Sequence, residues 1–369
     1  MKRQPPEGAT LDARTLNRTL LARQLLLERA GAEPVDVVER LVGMQAQVPL
    51  DPYVGLWSRL RSFDPDSLGR ALLERRCVRM TLMRATLHLA SSADALRIRP
   101  LLQGMLERAF GSSPFRRALG DLDLEPVVAR GRALVDERPL TLAQLRTELA
   151  AEWPERDPNA LAYAVRYLLP LVQVTPRGVW GRTLQPTVTT LDAWLANGPP
   201  VAAASVDDLV LRYLRAFGPA STADVAAWSG LADLRTAVAR LRPRLRVYRD
   251  AAGRELLDVA DGIFADAAEP APARFLPQYD NVFLAHADRG RIMDAVRWDS
   301  SFAHRGTLLV DGFVAGAWKL AKEKRGATLS VDLRTRVSAT ERRELATEAE
   351  ALLAFLAPDA RSRRVRLEA

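Results

Sequence analysis

The sequence contains few of the residues that build metal centres and disulfide-bonded folds. Its 369 residues include one cysteine, Cys77, and three widely spaced histidines, His88, His286 and His304. A lone cysteine excludes an intrachain disulfide framework, and the histidine spacing argues against a metal cluster. No glycine-rich nucleotide-binding loop and no HExxH motif are present. We therefore expect a protein that uses no metal and no cofactor.

Long apolar runs are also missing. No stretch approaches the roughly 20 residues that a membrane-spanning helix needs. The first ten residues, MKRQPPEGAT, contain no apolar segment after their basic pair, unlike a secretory signal. These features predict a cytoplasmic protein that makes no use of a membrane.

Lysine is scarce, although the chain is basic. Lys+Arg number 53 against 45 Asp+Glu, giving a net charge of +8, and only Lys2, Lys319, Lys322 and Lys324 are lysines. A basic excess favours an anionic partner, most often nucleic acid. Because arginine is common throughout the chain, local clusters are more informative than its total.

One order of elements recurs along the chain. Residues 140–180 predict a helix capped by Thr141, a second helix over 160–169, a strand over 172–175 and a returning strand over 179–180. Residues 201–259 predict helices capped by Ser205 and Ser221, a third helix over 234–241, and strands over 246–248 and 256–259. A hairpin turn at 250–253 joins these two strands. This order is typical of winged-helix units.

The two ends of the chain differ from this repeated pattern. The first 95 residues match it more loosely, with helices predicted over 20–30, 34–41, 51–61 and 67–73 and a strand-like stretch over 78–89. After residue 273, short strands are predicted over 275–277, 282–284, 307–310, 313–318 and 328–333, followed by a helix over 339–356.

We predict an α+β fold, mainly α, with three tandem winged-helix units and a small β-rich, barrel-like C-terminal domain. The predicted boundaries are 1–95 for the first unit, 96–135 for a helical connector, 136–198 and 199–268 for the other two units, and 269–369 for the last domain.

Two basic segments are candidate DNA contacts. Residues 235–249 carry six arginines and no acid, and they cover the third helix and first wing strand of the predicted third unit. Arg240, Arg242, Arg244 and Arg246 are the candidates there, and a solvated face is the alternative. Lys319, Lys322 and Lys324 lie at a predicted hairpin end. They could reach phosphates, but a solvated turn explains them equally well.

The motif Gly43-Met-Gln45-Ala-Gln47 contains two carboxamides two residues apart. In an extended chain, residues i and i+2 project to the same side. Each carboxamide offers donors and an acceptor, so Gln45 and Gln47 could together hold one water. From spacing alone, polar residues that cap the end of a helix are the favoured interpretation.

Four segments together resemble one family. They are residues 43–47, residues 84–89 (Arg-Ala-Thr-Leu-His-Leu), residues 275–281 (Phe-Leu-Pro-Gln-Tyr-Asp-Asn) continuing to 287–289, and residues 311–318 (Asp-Gly-Phe-Val-Ala-Gly-Ala-Trp). In combination they resemble the winged-helix DNA glycosylases similar to AlkZ and YcaQ. The resemblance covers nearly the whole chain and implies a C-shaped body around DNA.

The resemblance implies removal of N7-alkylated purines and unhooking of interstrand crosslinks, without flipping lesions into a tight base pocket. The family's Gln-aliphatic-Gln motif corresponds to Gln45 and Gln47, with the small Ala46 between them. It also supports Arg84 as a DNA contact and His88 in a DNA-backbone or site-support role, although a satisfied buried histidine is equally reasonable for His88. A minor-groove hairpin is implied, with its tip either at 300–307, which includes His304 and Arg305, or at 320–327.

We therefore predict a monomeric, monofunctional DNA glycosylase that acts on double-stranded DNA and associates with the nucleoid when bound. Two alternatives remain open. A non-enzymatic winged-helix regulator or architectural protein would bind duplex DNA without excising bases. A resistance protein would instead sequester a small DNA-reactive compound.

Overall fold

The structure is a computed structural model that describes residues 4–196, 204–293, 296, 299–302 and 304–368. The predicted mixture of helices and strands is confirmed. The helices are α1 Ala13–Arg23, α2 Pro34–Arg40, α3 Asp51–Trp57, α4 Pro65–Leu73, α5 Ser92–Leu101, α6 Gln103–Gly111, α7 Pro114–Leu119, α8 Leu124–Glu137, α9 Leu142–Glu152, α10 Pro158–Leu168, α11 Leu191–Trp194, α12 Val206–Phe217, α13 Thr222–Ser229, α14 Arg235–Leu241, α15 Asn281–Leu284 and α16 Ala339–Leu356.

The strands form three sheets. They are β1 Thr10–Leu11, β2 Met44–Gln45, β3 Cys77–Thr81, β4 Leu87–Ser91, β5 Leu140–Thr141, β6 Leu171–Gln173, β7 Thr187–Thr190, β8 Leu245–Asp250, β9 Glu255–Val259, β10 Arg274–Leu276, β11 Gly306–Val310, β12 Phe313–Lys322, β13 Gly326–Leu333 and β14 Ser362–Glu368. None of the helices in the described ranges is both long and apolar enough to cross a bilayer.

A six-stranded sheet joins two regions that the sequence suggested were separate units. Its strand order is β2-β4-β3-β6-β7-β5. The joint lies between β3 and β6, where Arg79 pairs with Gln173 and Met80 with Val172. Because backbone hydrogen bonds cross this joint, the residues around the Gln-Ala-Gln motif and those around α9 and α10 share one continuous sheet.

A second sheet has the order β1-β8-β9. The predicted hairpin of β8 and β9 is confirmed, with Leu245 opposite Val259. The short N-terminal strand pairs in parallel with β8, where Thr10 is opposite Arg249. Residues 10–11 therefore pair with a strand that lies far from them in the sequence.

The C-terminal region contains a five-stranded sheet of order β10-β11-β12-β13-β14. Its pairings are antiparallel except that of β13 with β14, which is parallel. Helix α16 packs its buried leucines against the sheet. In the part of the chain that is described, β10 and β14 form two open edges, so no closed barrel is found.

Two predicted strands are wrong. Residues 179–180 lie in a turn, and the returning strand is β7. The Trp180 amide donates to the Tyr53 hydroxyl at 3.0 Å, and the two rings lie 5.0 Å apart. These apolar residues therefore pack between distant segments rather than extend a sheet. Residues 282–284 form α15, because Asp280 caps this helix by accepting from the Val282 amide.

The order of two helices followed by two strands is found at 142–190, and that of three helices followed by two strands at 206–259. The assignment of these regions as winged-helix units and the C-shaped body both stay predictions. Helix α1 begins at Ala13, well before the predicted 20–30, because the Asp12 side chain caps it by accepting from the Thr15 amide.

Candidate active site

Gln45 lies in the edge strand β2, opposite His88 on β4. Its side chain is buried, and its Oε1 accepts a hydrogen bond from Arg84 Nη2 at 3.0 Å. A guanidinium only donates hydrogen bonds, so the carboxamide oxygen must be the atom that faces Arg84. The Gln45 amide nitrogen is thereby directed away and is left as a donor.

Gln47 follows two residues later in different surroundings. The strand ends at Gln45, and Gln47 is exposed in a bend at the rim of a cavity that also contacts Ala85 and Thr86. Gln45 thus contacts the turn at residues 84–86 through Arg84, whereas Gln47 lines the same cavity as Ala85 and Thr86. The extended geometry that the sequence suggested is not maintained through Gln47.

The backbone between the glutamines is fixed on both sides. The Ala46 amide donates to the Leu87 carbonyl at 2.8 Å, and the Ala46 carbonyl accepts from Arg79 Nη2 at 2.6 Å. The Ala46 side chain is completely buried. A small side chain is therefore compatible with a rigidly held motif.

Arg84 connects Gln45 to the region around α13. It lies in a 3-10 turn, Met83–Ala85, with a φ of +54°, and donates to the Trp228 carbonyl as well as to Gln45. Burial lowers the pKa of Arg84 to about 10. The guanidinium therefore stays charged at neutral pH. Its Nη1 donates to Trp228 and its Nη2 to Gln45, so its position suits orientation of Gln45 better than contact with a phosphate.

His88 lies on β4 directly opposite Gln45, with a side chain that is 1% exposed. Its Nδ1 lies 2.9 Å from the Thr86 carbonyl, which can only accept, so Nδ1 carries the hydrogen. Burial, followed by the charge of Arg84, lowers its pKa to about 3. His88 is a neutral, satisfied buried histidine in this structure and presents almost no surface to a DNA backbone.

Two further charged side chains beside the motif were not identified from the sequence. Arg79 is 2% exposed, and its Nε and Nη1 have no partner within the described structure. Asp51, at the start of α3, is buried with an unpartnered Oδ2. Burial lowers the pKa of Arg79 to about 10. Burial, reinforced by Asp280, raises that of Asp51 to about 7.

Only weak sequence signals pointed to these two residues. Asp51 follows Gln47 by four positions, and Arg79 interrupts the otherwise apolar strand Cys77–Thr81.

Two arginines of the basic segment at 235–249 form ion pairs that the sequence did not suggest. Arg240 pairs with Asp207 at 2.6 Å, and Arg242 pairs with Glu255 at 2.7 Å. The premise that these arginines lack acidic partners is therefore wrong, because the acids come from α12 and β9. Arg244 and Arg246 form no ion pair within 4 Å in the described ranges, and Arg244 is exposed. These two are the stronger candidates for DNA contact.

The C-terminal basic candidates likewise divide into exposed residues and one that is held by an ion pair. Lys319, Lys322 and Lys324 are exposed on the β12–β13 hairpin, whose end corresponds to the predicted tip at 320–327. At 300–307, the structure describes a 3-10 turn, Ser300–Phe302, and the start of β11, while residue 303 lies outside the described residues. His304 is exposed there, whereas Arg305 is held by Asp332 at 3.2 Å.

The site combines two carboxamides with the buried guanidinium of Arg79 and the half-buried guanidinium of Arg84. Among the residues that the structure describes, no group of three or more His, Cys, Asp or Glu could hold a metal ion. What the site offers is a directed amide donor on Gln45 and an exposed carboxamide on Gln47. These groups can orient a polar molecule, but they cannot transfer a proton as a tuned acid or base does.

Comparison with known proteins gives three concordant findings. A family model described as "DNA glycosylase AlkZ-like" matches residues 38–355. An "Interstrand DNA cross-link repair glycosylase" from Streptomyces sahachiroi is 25% identical over 354 residues, covering 82% of this chain and 86% of the relative. The solved structure of Streptomyces sahachiroi DNA glycosylase AlkZ superposes with a TM-score of 0.70 at 20% identity, over 97% of this chain and 100% of that one.

Proposed function

Because the chain belongs to the AlkZ-like DNA glycosylase family, we propose that it hydrolyses the N-glycosidic bond of N7-alkylated purines in duplex DNA. Bulky adducts and interstrand crosslinks are included, since the 25% identical relative is named a crosslink repair glycosylase. The observation that carries the proposal is the pair of carboxamides around the turn at 84–86, one fixed by a charged donor and one open to solvent.

The two glutamines have complementary tasks in this proposal. The Gln45 Oε1 is occupied by Arg84, so its Nε2–H donates to the oxygen of a water molecule. The exposed Gln47 accepts a hydrogen bond from that water through its Oε1. Together they leave a lone pair of the water directed at C1′ of the damaged nucleotide.

This chemistry needs no strong base. An N7-alkylpurine carries a positive charge, so when the C1′–N9 bond breaks the electron pair neutralises the departing base. The water forms the new C1′–O bond and releases its proton to solvent. Because neutral carboxamides add no charge near the developing sugar cation, the substrate's own activation supplies most of the driving force. Undamaged purines should therefore be poor substrates.

A monofunctional reaction accords with the position of the lysines. Those in the described residues lie on the β12–β13 hairpin, and none lines the cavity beside Gln47. Because no lysine lines this cavity among the residues that the structure describes, the proposed product is an intact abasic site. Arg244, Arg246 and the hairpin lysines are proposed to bind the duplex backbone. The protein is proposed to act as a monomer in the cytoplasm.

The test is release of N7-methylguanine from a labelled duplex, followed by alkaline cleavage of the abasic sites. The wild-type protein should give strand cleavage that needs alkali, and Gln47→Ala should abolish most of it. Gln103→Ala is the matched control, because Gln103 lies on α6 outside the cavity and should behave as wild type. Duplex binding without base release from either this lesion or a crosslinked duplex would instead identify a non-enzymatic DNA-binding protein.

A further inference from the structure

A cavity of about 330 Å³ opens beside Gln47 over one face of the six-stranded sheet. Its wall is mainly aliphatic, from Leu87, Leu142, Leu145, Leu171 and Val188. We propose that this cavity binds an uncharged hydrocarbon substituent carried by the alkylated purine, and so determines which adducts are removed most efficiently. The inference rests on the proposed function, whose water lies at the cavity rim.

The location limits what can enter the cavity. Gln47 would hold water at C1′, which places the damaged nucleotide next to the cavity. A sugar-phosphate is charged and would gain nothing from leucine walls. An extrahelical base is usually held by stacking and by hydrogen bonds along its pairing edge. No aromatic side chain is among the described lining residues, which leaves the substituent as the best match.

Two polar groups refine the chemical class. The Gln173 Oε1 is buried and has no partner among the described residues, although its side chain lines the cavity. A substituent that carries one uncharged hydroxyl donor could satisfy it, whereas a buried acceptor left alone is unfavourable. Arg166 is exposed at the opening, with its guanidinium 5.5 Å from the Tyr163 ring centroid. Its charge disfavours cationic substituents.

The experiment compares two adducts that differ only in the substituent. Duplexes carrying N7-methylguanine or N7-benzylguanine are assayed for both base release and affinity. Leu142→Trp narrows the cavity from the first turn of α9. Leu124→Trp is the matched control, because Leu124 is also a half-buried leucine at the first position of a helix and packs against the same core, outside the cavity.

We expect Leu142→Trp to lower the benzyl-to-methyl ratio at least tenfold in release rate and affinity, while Leu124→Trp leaves the ratio unchanged. An equal loss for both adducts in Leu142→Trp, or no loss for either, would overturn the proposal. If the wild type releases neither base and also leaves a crosslinked duplex intact, the proposed function fails. The benzyl-to-methyl ratio of affinities then still tests whether the cavity binds the substituent, because affinity does not depend on catalysis.

Two further variants keep the result interpretable if tryptophan disturbs folding. Leu142→Ala widens the cavity and should preserve or raise the benzyl-to-methyl ratio; a tenfold fall would contradict the inference. Gln173→Leu should abolish any preference for N7-(4-hydroxybenzyl)guanine over N7-benzylguanine. A preference that survives this change would show that Gln173 does not contact the substituent and would remove the hydrogen-bonding part of the proposal.

Discussion

Replacing Arg84 by methionine should slow base release without weakening the binding of undamaged duplex. Methionine keeps an unbranched apolar stem but cannot donate to the Gln45 Oε1, which lies 3.0 Å from Arg84 Nη2. A hydrogen bond from a charged donor contributes about 1.5–3 kcal/mol. If that energy goes into orienting the carboxamide, the release rate should fall about 10- to 150-fold, since each 1.36 kcal/mol changes a rate tenfold.

The assay is single-turnover release of N7-methylguanine, with thermal unfolding measured in parallel. Arg84 also donates to the Trp228 carbonyl, so some loss of stability is expected as well. Arg99→Met controls for this loss: Arg99 is buried, has a pKa lowered to about 10 like that of Arg84, and donates to Gln103 rather than to the motif. A wild-type rate in Arg84→Met, or an equal loss in Arg99→Met, would refute the orienting role.

Three other predictions concern Asp51, Arg79 and the pair of Arg244 and Arg246. Burial raises the pKa of Asp51 from 3.8 to about 7, so the folded state loses stability as the pH rises between these two values. The substitution Asp51→Asn should therefore raise Tm by several degrees more at pH 8 than at pH 4. Arg79→Met removes the donor to the Ala46 carbonyl and should lower the release rate about tenfold, with Arg79→Lys recovering part of it. Replacing both Arg244 and Arg246 by alanine should reduce the slope of log affinity against log salt by about 2, while Arg240→Ala, whose guanidinium is paired, should change it less.

Local signals predicted the elements that depend on neighbours in sequence. Helix α16 matches its predicted bounds, because the Ser338–Glu341 capping box marks its start. The β8–β9 hairpin matches as well, because Asp250 accepts from the Ala252 and Arg254 amides across the turn. Strand β14 was missed because its alternating charged residues carry little of the apolar pattern that marks a strand.

Contacts between distant segments were beyond local reasoning. The motif itself was identified from residues 43–47, but the bond from Arg84 to Gln45 spans 39 positions. The pairing of Arg240 with Asp207 spans 33 positions, which is why an acid-free segment seemed unpaired. The cavity beside Gln47 is likewise assembled from α9, α10, the strands β3, β4, β6 and β7, and adjoining loops, and no single stretch of sequence describes it.

The most direct test of the central claim is a double-mutant cycle on the two glutamines. Gln45→Ala, Gln47→Ala and the double variant are compared in single-turnover release of N7-methylguanine, with duplex affinity and thermal unfolding as controls for binding and folding. Groups that position the same water act as a unit, so the double variant should lose little more activity than the more damaged single variant. Losses that multiply would contradict a shared water, and full activity in the double variant would place the chemistry elsewhere in the molecule.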